Sequence, residues 1–168
     1  MDVTIEMSSL RTAALVDVAL GQLFYRVSTN HDLSGLCLRV TNHPKATVQN
    51  AFITLDGEKP FRIVLIRESD EGDVVLPVPM SPFYVQYLSE QPELENLYGL
   101  GGLVIAPDGP FFVVQHDQHD GNKVTKYFLR MRDWAILADP PTSACGITKW
   151  KLTTRDGSSE NVWLGHLA

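Results

Sequence analysis

Within five residues the segment His116-Asp117-Gln118-His119-Asp120 carries two imidazoles and two carboxylates. Both are ligand types that suit a divalent transition metal such as zinc, manganese or iron. His116, His119 and Asp120 are therefore the candidate metal ligands, and the chemistry they would serve is that of a metal-dependent enzyme. Their spacing is the obstacle. Residues three apart on a strand face opposite sides of it, so His116 and His119 share an ion only if the chain bends between them. Asp120-Gly121 offers a turn nearby, and a solvated polar hairpin tip accounts for the same residues without any ion. A further ligand would have to come from His31, His43 or His166, and nothing in their spacing brings them close.

Other catalytic patterns are missing or incomplete. Gly101 and Pro107-Asp108-Gly109 match part of the second cupin motif, but Phe112 stands where that motif has a histidine and there is no His-x-His, so the cupin family is excluded. Glu68-Ser69-Asp70-Glu71-Gly72-Asp73 is rich in oxygen ligands, yet lacks the regular ligand spacing of a calcium loop and reads as a solvated turn. The chain has no Gly-x-Ser-x-Gly elbow, no phosphate-cradling loop and no dinucleotide fingerprint. No cofactor is implied apart from the divalent metal, and binding is favoured over catalysis.

A second group of residues suits recognition. Lys126, Arg130 and Arg132 alternate with Tyr127, Leu129 and Met131, while Lys149, Lys151 and Arg155 alternate with Trp150 and Leu152. Each set forms a basic row on one side of a strand, with Phe128 interleaved as a possible stacking aromatic. If the two strands are neighbours, the six residues make one basic patch. The region from Lys123 onward has seven basic and four acidic residues, a local charge of +3, within a chain of net charge −6. The first 122 residues hold −9. This balance disfavours nucleic acid and anionic lipid as partners. It suits a protein partner, including the acidic region of another copy, and a small ligand remains compatible with it.

The elements that must position these residues are strands joined by tight turns. Four Asp-Gly pairs begin at Asp56, Asp108, Asp120 and Asp156, each between β-branched and aromatic segments, which is a strong hairpin signal because both residues accept positive φ at low cost. The first turn joins residues 51–55 to 60–66, and the second of these strands, apolar on both faces at 63–66, is expected to be central. The second turn joins 102–106 to 111–115, with Pro107 presetting the turn and Gly109 able to take a left-handed φ. The third joins 111–115 to 123–131, and the fourth joins 147–155 to 161–167. Residues 23–27 and 36–41 are further strands. Residues 1–20 read as an irregular or helical lead-in. The aromatic run Phe83, Tyr84 and Tyr87 is expected in the core, and a short helix is expected near 89–98, with Ser89 as its cap and acidic residues in its first turn.

About ten strands with hairpin connections predict a mostly β, antiparallel, hairpin-rich β-barrel, with a two-sheet β-sandwich as the alternative. The strands at 20–26, 36–40 and 50–57 resemble a three-strand pattern of small bacterial and phage β-proteins. That pattern covers about a quarter of the chain and carries no function; a structural protein of a phage or mobile element is a further, separate reading. The 168 residues fit a single domain spanning 1–168, and the 44% hydrophobic and 20% charged content is that of a globular chain. No apolar run reaches the roughly 20 residues of a membrane helix. Cys37 and Cys145 have no CxxC partner and read as reduced thiols, with Cys37 buried. The acidic, interrupted start does not match a secretory signal, so the expected location is the cytoplasm. The function read from the sequence is a non-enzymatic binding or assembly module with possible homo-oligomerisation.

Overall fold

The computed structural model of the chain describes residues 11–27, 33–42, 49–56, 59–78, 83–87, 100–117, 124–147, 149–156 and 159–166. The lead-in forms a two-residue strand, β1 (Ala13–Ala14), followed by a 3-10 turn over Leu15–Asp17. Five strands come next: β2 (Leu23–Val27), β3 (Leu33–Asn42), β4 (Gln49–Thr54), β5 (Ile63–Leu65) and β6 (Val74–Pro77). After β7 (Phe83–Tyr87) a second series runs β8 (Leu103–Ala106), β9 (Gly109–Asp117), β10 (Val124–Arg130), β11 (Ala135–Leu137) and β12 (Cys145–Ile147). A hairpin of β13 (Lys149–Asp156) and β14 (Ser159–His166) ends the chain. The protein is mostly β, as the turn signals require. The expected helix near 89–98 lies outside the described residues.

The two five-strand series are built alike. In each, the first strand pairs with the second, the second with the third and the third with the fourth, and the fifth returns antiparallel to the first. The hydrogen bonds at their entrances correspond one for one. Gly21 N donates to Arg39 O at 2.9 Å and Arg39 N to Gln22 O at 3.0 Å; Gly101 N donates to Val113 O at 2.9 Å and Val113 N to Gly102 O at 2.9 Å. Both entrances read Leu-Gly-x-Leu in the sequence, at residues 20–23 and 100–103.

The repeats also exchange contacts. The fourth strand of the second repeat, β11, pairs parallel to β3 through Ala135↔Thr41 and Ile136↔Asn42, with Thr41 N donating to Trp134 O at 3.0 Å. The fourth strand of the first repeat meets β9 through a single parallel bridge, Arg62↔Gln115, with Gln115 N donating to Phe61 O at 2.9 Å. Each unit gives the other what it receives, which is the mark of a two-fold arrangement. Two aromatic residues secure it. Phe61 (φ 59°) and Trp134 (φ 58°) both occupy the left-handed region, which costs a bulky side chain roughly 1–3 kcal/mol. Phe61 lies against Gly101 (φ 71°) and Trp134 against Gly21 (φ 75°), so closely that a Cβ on either glycine would overlap the ring.

The described ladders form one large mixed sheet and a separate three-stranded sheet ordered β14-β13-β7. The large sheet does not close through its ladders, so the expected barrel is not established. Nor is the strand leading out of the first turn central. It is only three residues long and, apart from the Arg62 bridge, ends its branch of the sheet. Its apolar character on both faces has a different cause, because both faces of the sheet are covered.

On one face Leu23, Leu36, Leu38, Val40, Ile53, Ile63, Leu103, Phe112, Val114, Leu129 and Ile136 pack into a shared core drawn from both repeats. Each repeat also has an apolar cluster on its opposite face. In the first, Phe24, Cys37, Phe52 and Val75 are covered by Leu15 and Val18 of the lead-in. In the second, Val104, Ala106, Phe111, Val113 and Phe128 pack with Leu137 and Ala144. We call these the outer clusters. Burying both faces explains why β3 and β9 read as nearly continuous apolar runs without being strands of a parallel sheet.

Turn chemistry sets the registers. Pro107 and Asp108 form the two-residue connection between Ala106 and Gly109, which are paired and with Gly109 at φ 120°, as the sequence predicts. Gly35 (φ 62°) is the extra residue where the β2–β3 register shifts, and Asp56 secures it by accepting a 2.6 Å hydrogen bond from Leu36 N. The fourth Asp-Gly turn joins β13 to β14 in continuous register from Lys149↔His166 to Asp156↔Ser159.

Candidate functional site

Of the candidate metal residues, His116 lies near the end of β9. His116 pairs with Thr125 and is partly exposed; His119 and Asp120 lie outside the described residues, so their convergence with His116 is not given. Among the described residues no group of three or more His, Cys, Asp or Glu side chains comes together as a metal site.

The two basic rows fall on different sheets. Lys126 and Arg130 are on β10 of the large sheet and Arg132 is in the exposed turn that follows, whereas Lys149, Lys151 and Arg155 occupy alternate positions of β13. Among the described residues no ladder joins β10 to β13. Arg130 is engaged with Asp133 through Nε at 2.9 Å and Nη2 at 2.6 Å. That bidentate bond raises the Arg130 pKa and lowers that of Asp133. Phe128 is not a surface aromatic: it is buried in the second outer cluster. On β13, Arg155 is opposite Glu160, and Lys151 sits between Leu164 and Gln86.

The acidic segment 68–73 is a turn, as read. Its 3-10 stretch Glu68–Asp70 is closed locally, with Ser69 Oγ donating to Asp70 Oδ1 at 2.9 Å and Arg67 N to Asp70 Oδ2 at 3.2 Å. These bonds hold the Asp70 carboxyl below its usual range. Cys37 is buried and free, and burial pushes its thiol up to about 12, which makes it a packing residue and not a nucleophile.

The feature that departs most from ordinary packing is on the outer face of the first repeat. Arg39 is only 4% exposed and is the only charged side chain buried among the described residues. Its Nη1 donates to Val40 O at 3.1 Å and to Ala51 O at 2.9 Å, while its buried Nε has no hydrogen-bond partner. Loss of water lowers its pKa, and no described carboxylate offsets that loss. Opposite Arg39 is Phe52, whose ring makes an edge contact with Phe24 at 5.6 Å and carries the Arg26 guanidinium 5.5 Å from its centroid. Arg62 begins the β5 side of the same face.

The repeat makes this arrangement interpretable. By strand register, the second-repeat counterparts of Arg26, Arg39 and Arg62 are Ala106, Val113 and Ala135. Three arginines thus occupy positions where the same backbone elsewhere in the chain uses small apolar residues. The sequence reading placed Arg39 inside a strand and assigned it no role. The twofold Leu-Gly-x-Leu marks the two entrances, but the motifs are 80 residues apart and Arg39 and Val113 only 74, so the hydrogen-bond register and not the motif aligns them.

No protein-family model, curated protein or solved structure matches this chain. Among the described residues no helix is long and apolar enough to cross a membrane.

Proposed function

We propose that this protein is a non-enzymatic module that acts by binding, and that one partner is a second copy of the chain. The observation that carries this reading is the three-stranded sheet. Its edge strand β14 runs eight residues and pairs on one side only among the described residues. Such an edge is a template for adding a strand from another chain. Pairing β14 with its own copy would extend the sheet across a two-fold axis. The basic positions of β13, Lys149, Lys151 and Arg155, then face a chain whose first 122 residues carry −9, so charge favours the encounter. Lys126 and Arg132 add positive charge on and beside β10 of the large sheet, where Arg130 is paired with Asp133. We read the six strands β3, β4, β5, β9, β10 and β11 as a small barrel joined by the two reciprocal parallel contacts, serving as a rigid support for this surface.

The test is light scattering coupled to size-exclusion chromatography over a hundredfold range of concentration. The expected result is twice the 18.7 kDa chain mass, with Lys149→Glu/Lys151→Glu/Arg155→Glu shifted toward monomer at low salt. Wild-type protein that stays monomeric throughout would overturn self-association. Stoichiometric zinc, manganese or iron in untagged protein, measured by plasma spectrometry, would instead favour the His116, His119 and Asp120 reading.

A further inference from the structure

A guanidinium has five N–H donors in a planar fork, and the Nε–Nη2 edge is the side that grips a carboxylate or phosphate with two parallel bonds. In Arg39 the hydrogen bonds made among the described residues are those of Nη1, directed to Val40 O and Ala51 O. They fix the plane of the fork and leave its bidentate edge unused, with Nε buried and without a partner. A buried charge in this condition is costly, and replacing one by a well-packed apolar side chain is often neutral or stabilising.

The molecule contains the apolar solution. Val113 takes the equivalent place in the second repeat, fully buried in the outer cluster with Phe111 and Phe128. Folding of this backbone therefore does not require a guanidinium there. The same holds for the neighbouring Arg26 and Arg62, whose counterparts are Ala106 and Ala135. Arg39 is therefore a buried positive group that the fold does not demand and whose Nε has no partner.

We propose that the outer face of the first repeat is an oxyanion-binding site in which the Nε–Nη2 edge of Arg39 receives a carboxylate or phosphate group, with Arg26 and Arg62 adding positive potential. The site is on the opposite face of the first repeat's strands from the shared core, and it does not depend on the self-association assigned to β14. Leu15 packs into the apolar cluster on this face, and its turn is tied to the acidic turn by Leu15 N to Asp73 O at 2.9 Å and Val16 N to Glu71 O at 3.1 Å.

The experiment is a thermal-melt titration of the full chain with sodium phosphate and, separately, sodium glutamate, each against sodium chloride at matched ionic strength. Wild-type protein is expected to gain about 2–4 °C over chloride once the ligand exceeds its dissociation constant severalfold. Arg39→Val, which copies the second repeat, is expected to melt at or above the wild-type temperature in chloride and to show no gain with either anion. Arg39→Lys keeps the charge without the fork and is expected to lose most of the gain; it also serves if the valine variant fails to fold. A gain with phosphate alone identifies a phosphate ligand, a gain with glutamate alone a carboxylate, and equal gains a site that takes either oxyanion. The proposal is overturned if the wild type shows no gain over chloride, or if Arg39→Val and Arg39→Lys keep the wild-type gain.

Discussion

The two repeats share an inner face and differ on the outer one. Leu23 and Leu103, Leu38 and Phe112, Val40 and Val114, Ile53 and Leu129, and Ile63 and Ile136 are counterparts, and all ten sit in the shared core. On the outer face Arg26, Arg39 and Arg62 stand against Ala106, Val113 and Ala135. The inner positions of both units belong to one apolar cluster, so packing constrains them in both. The outer positions answer to local cover alone, so they are free to diverge. A difference confined to that face therefore speaks of use, and the apolar copy is the internal control for what the fold itself needs.

The sharpest way to break the comparison is to impose the first repeat's charge on the second. Val113→Arg buries a guanidinium among Val104, Phe111 and Phe128, with no pre-set partner and with more volume than the cluster holds. Overpacking and an unpaired buried charge together are expected to cost about 4 kcal/mol or more. Chemical denaturation would measure it. If Val113→Arg is as stable as the wild type, the two outer faces are equivalent environments and Arg39 needs no special explanation.

The next largest effect tests the reciprocity of the repeats. Gly21→Ala and Gly101→Ala each force a Cβ into the ring of the other repeat's aromatic and hold alanine at positive φ. Strain and overlap together are expected to cost about 2–5 kcal/mol in each variant. The losses should be similar, since the entrances share the same hydrogen bonds. A large loss at Gly21 with none at Gly101 would show that the Phe61 and Trp134 contacts are not equivalent.

Much of the strand order was legible in the sequence, and the repeat was not. Asp108-Gly109 and Asp156-Gly157 announced their hairpins because Asp and Gly satisfy turn geometry in a way few other residues do. Residues 23–27 were read as the strand they form, and Cys37 as buried. What escaped reading rests on long-range structure. Phe and Trp disfavour the left-handed region, so nothing local marks Phe61 or Trp134 as the residues that adopt it. Arg39 alternates with Leu38 and Val40 as a solvent-facing residue would, yet it is buried. The basic rows rest on alternation along single strands, and alternation carries no information on which sheet a strand joins. Phe128 was misread for a related reason: its side of β10 is covered at that point by Leu137 and Ala144.

The smallest expected effect separates two ways of bracing the same turn. Both left-handed aromatics are reached through a turn clipped by a side chain at the end of the third strand of its repeat. In the first repeat Thr54 Oγ1 donates to Lys59 O at 2.7 Å and accepts from Arg62 N at 3.2 Å. In the second, the equivalent position is Arg130, held by Asp133. Arg130 and Asp133 are 22% and 42% exposed, so solvent screens the pair and Asp133→Asn is expected to cost about 0.5 kcal/mol at neutral pH. Because the Arg130 hydrogen bonds depress the Asp133 pKa in the folded state, that contribution is present above the unfolded carboxylate value of about 3.9 and is lost as pH falls through the lower folded value. The stability gap between wild type and Asp133→Asn should therefore close as the pH falls below about 4. Thr54→Val removes neutral bonds, so its deficit should not close over that range. A Thr54→Val deficit that narrows with acid as the Asp133→Asn gap does would mean that other titrating groups brace both turns, and the distinction between a hydroxyl clip and an ionic one would fail.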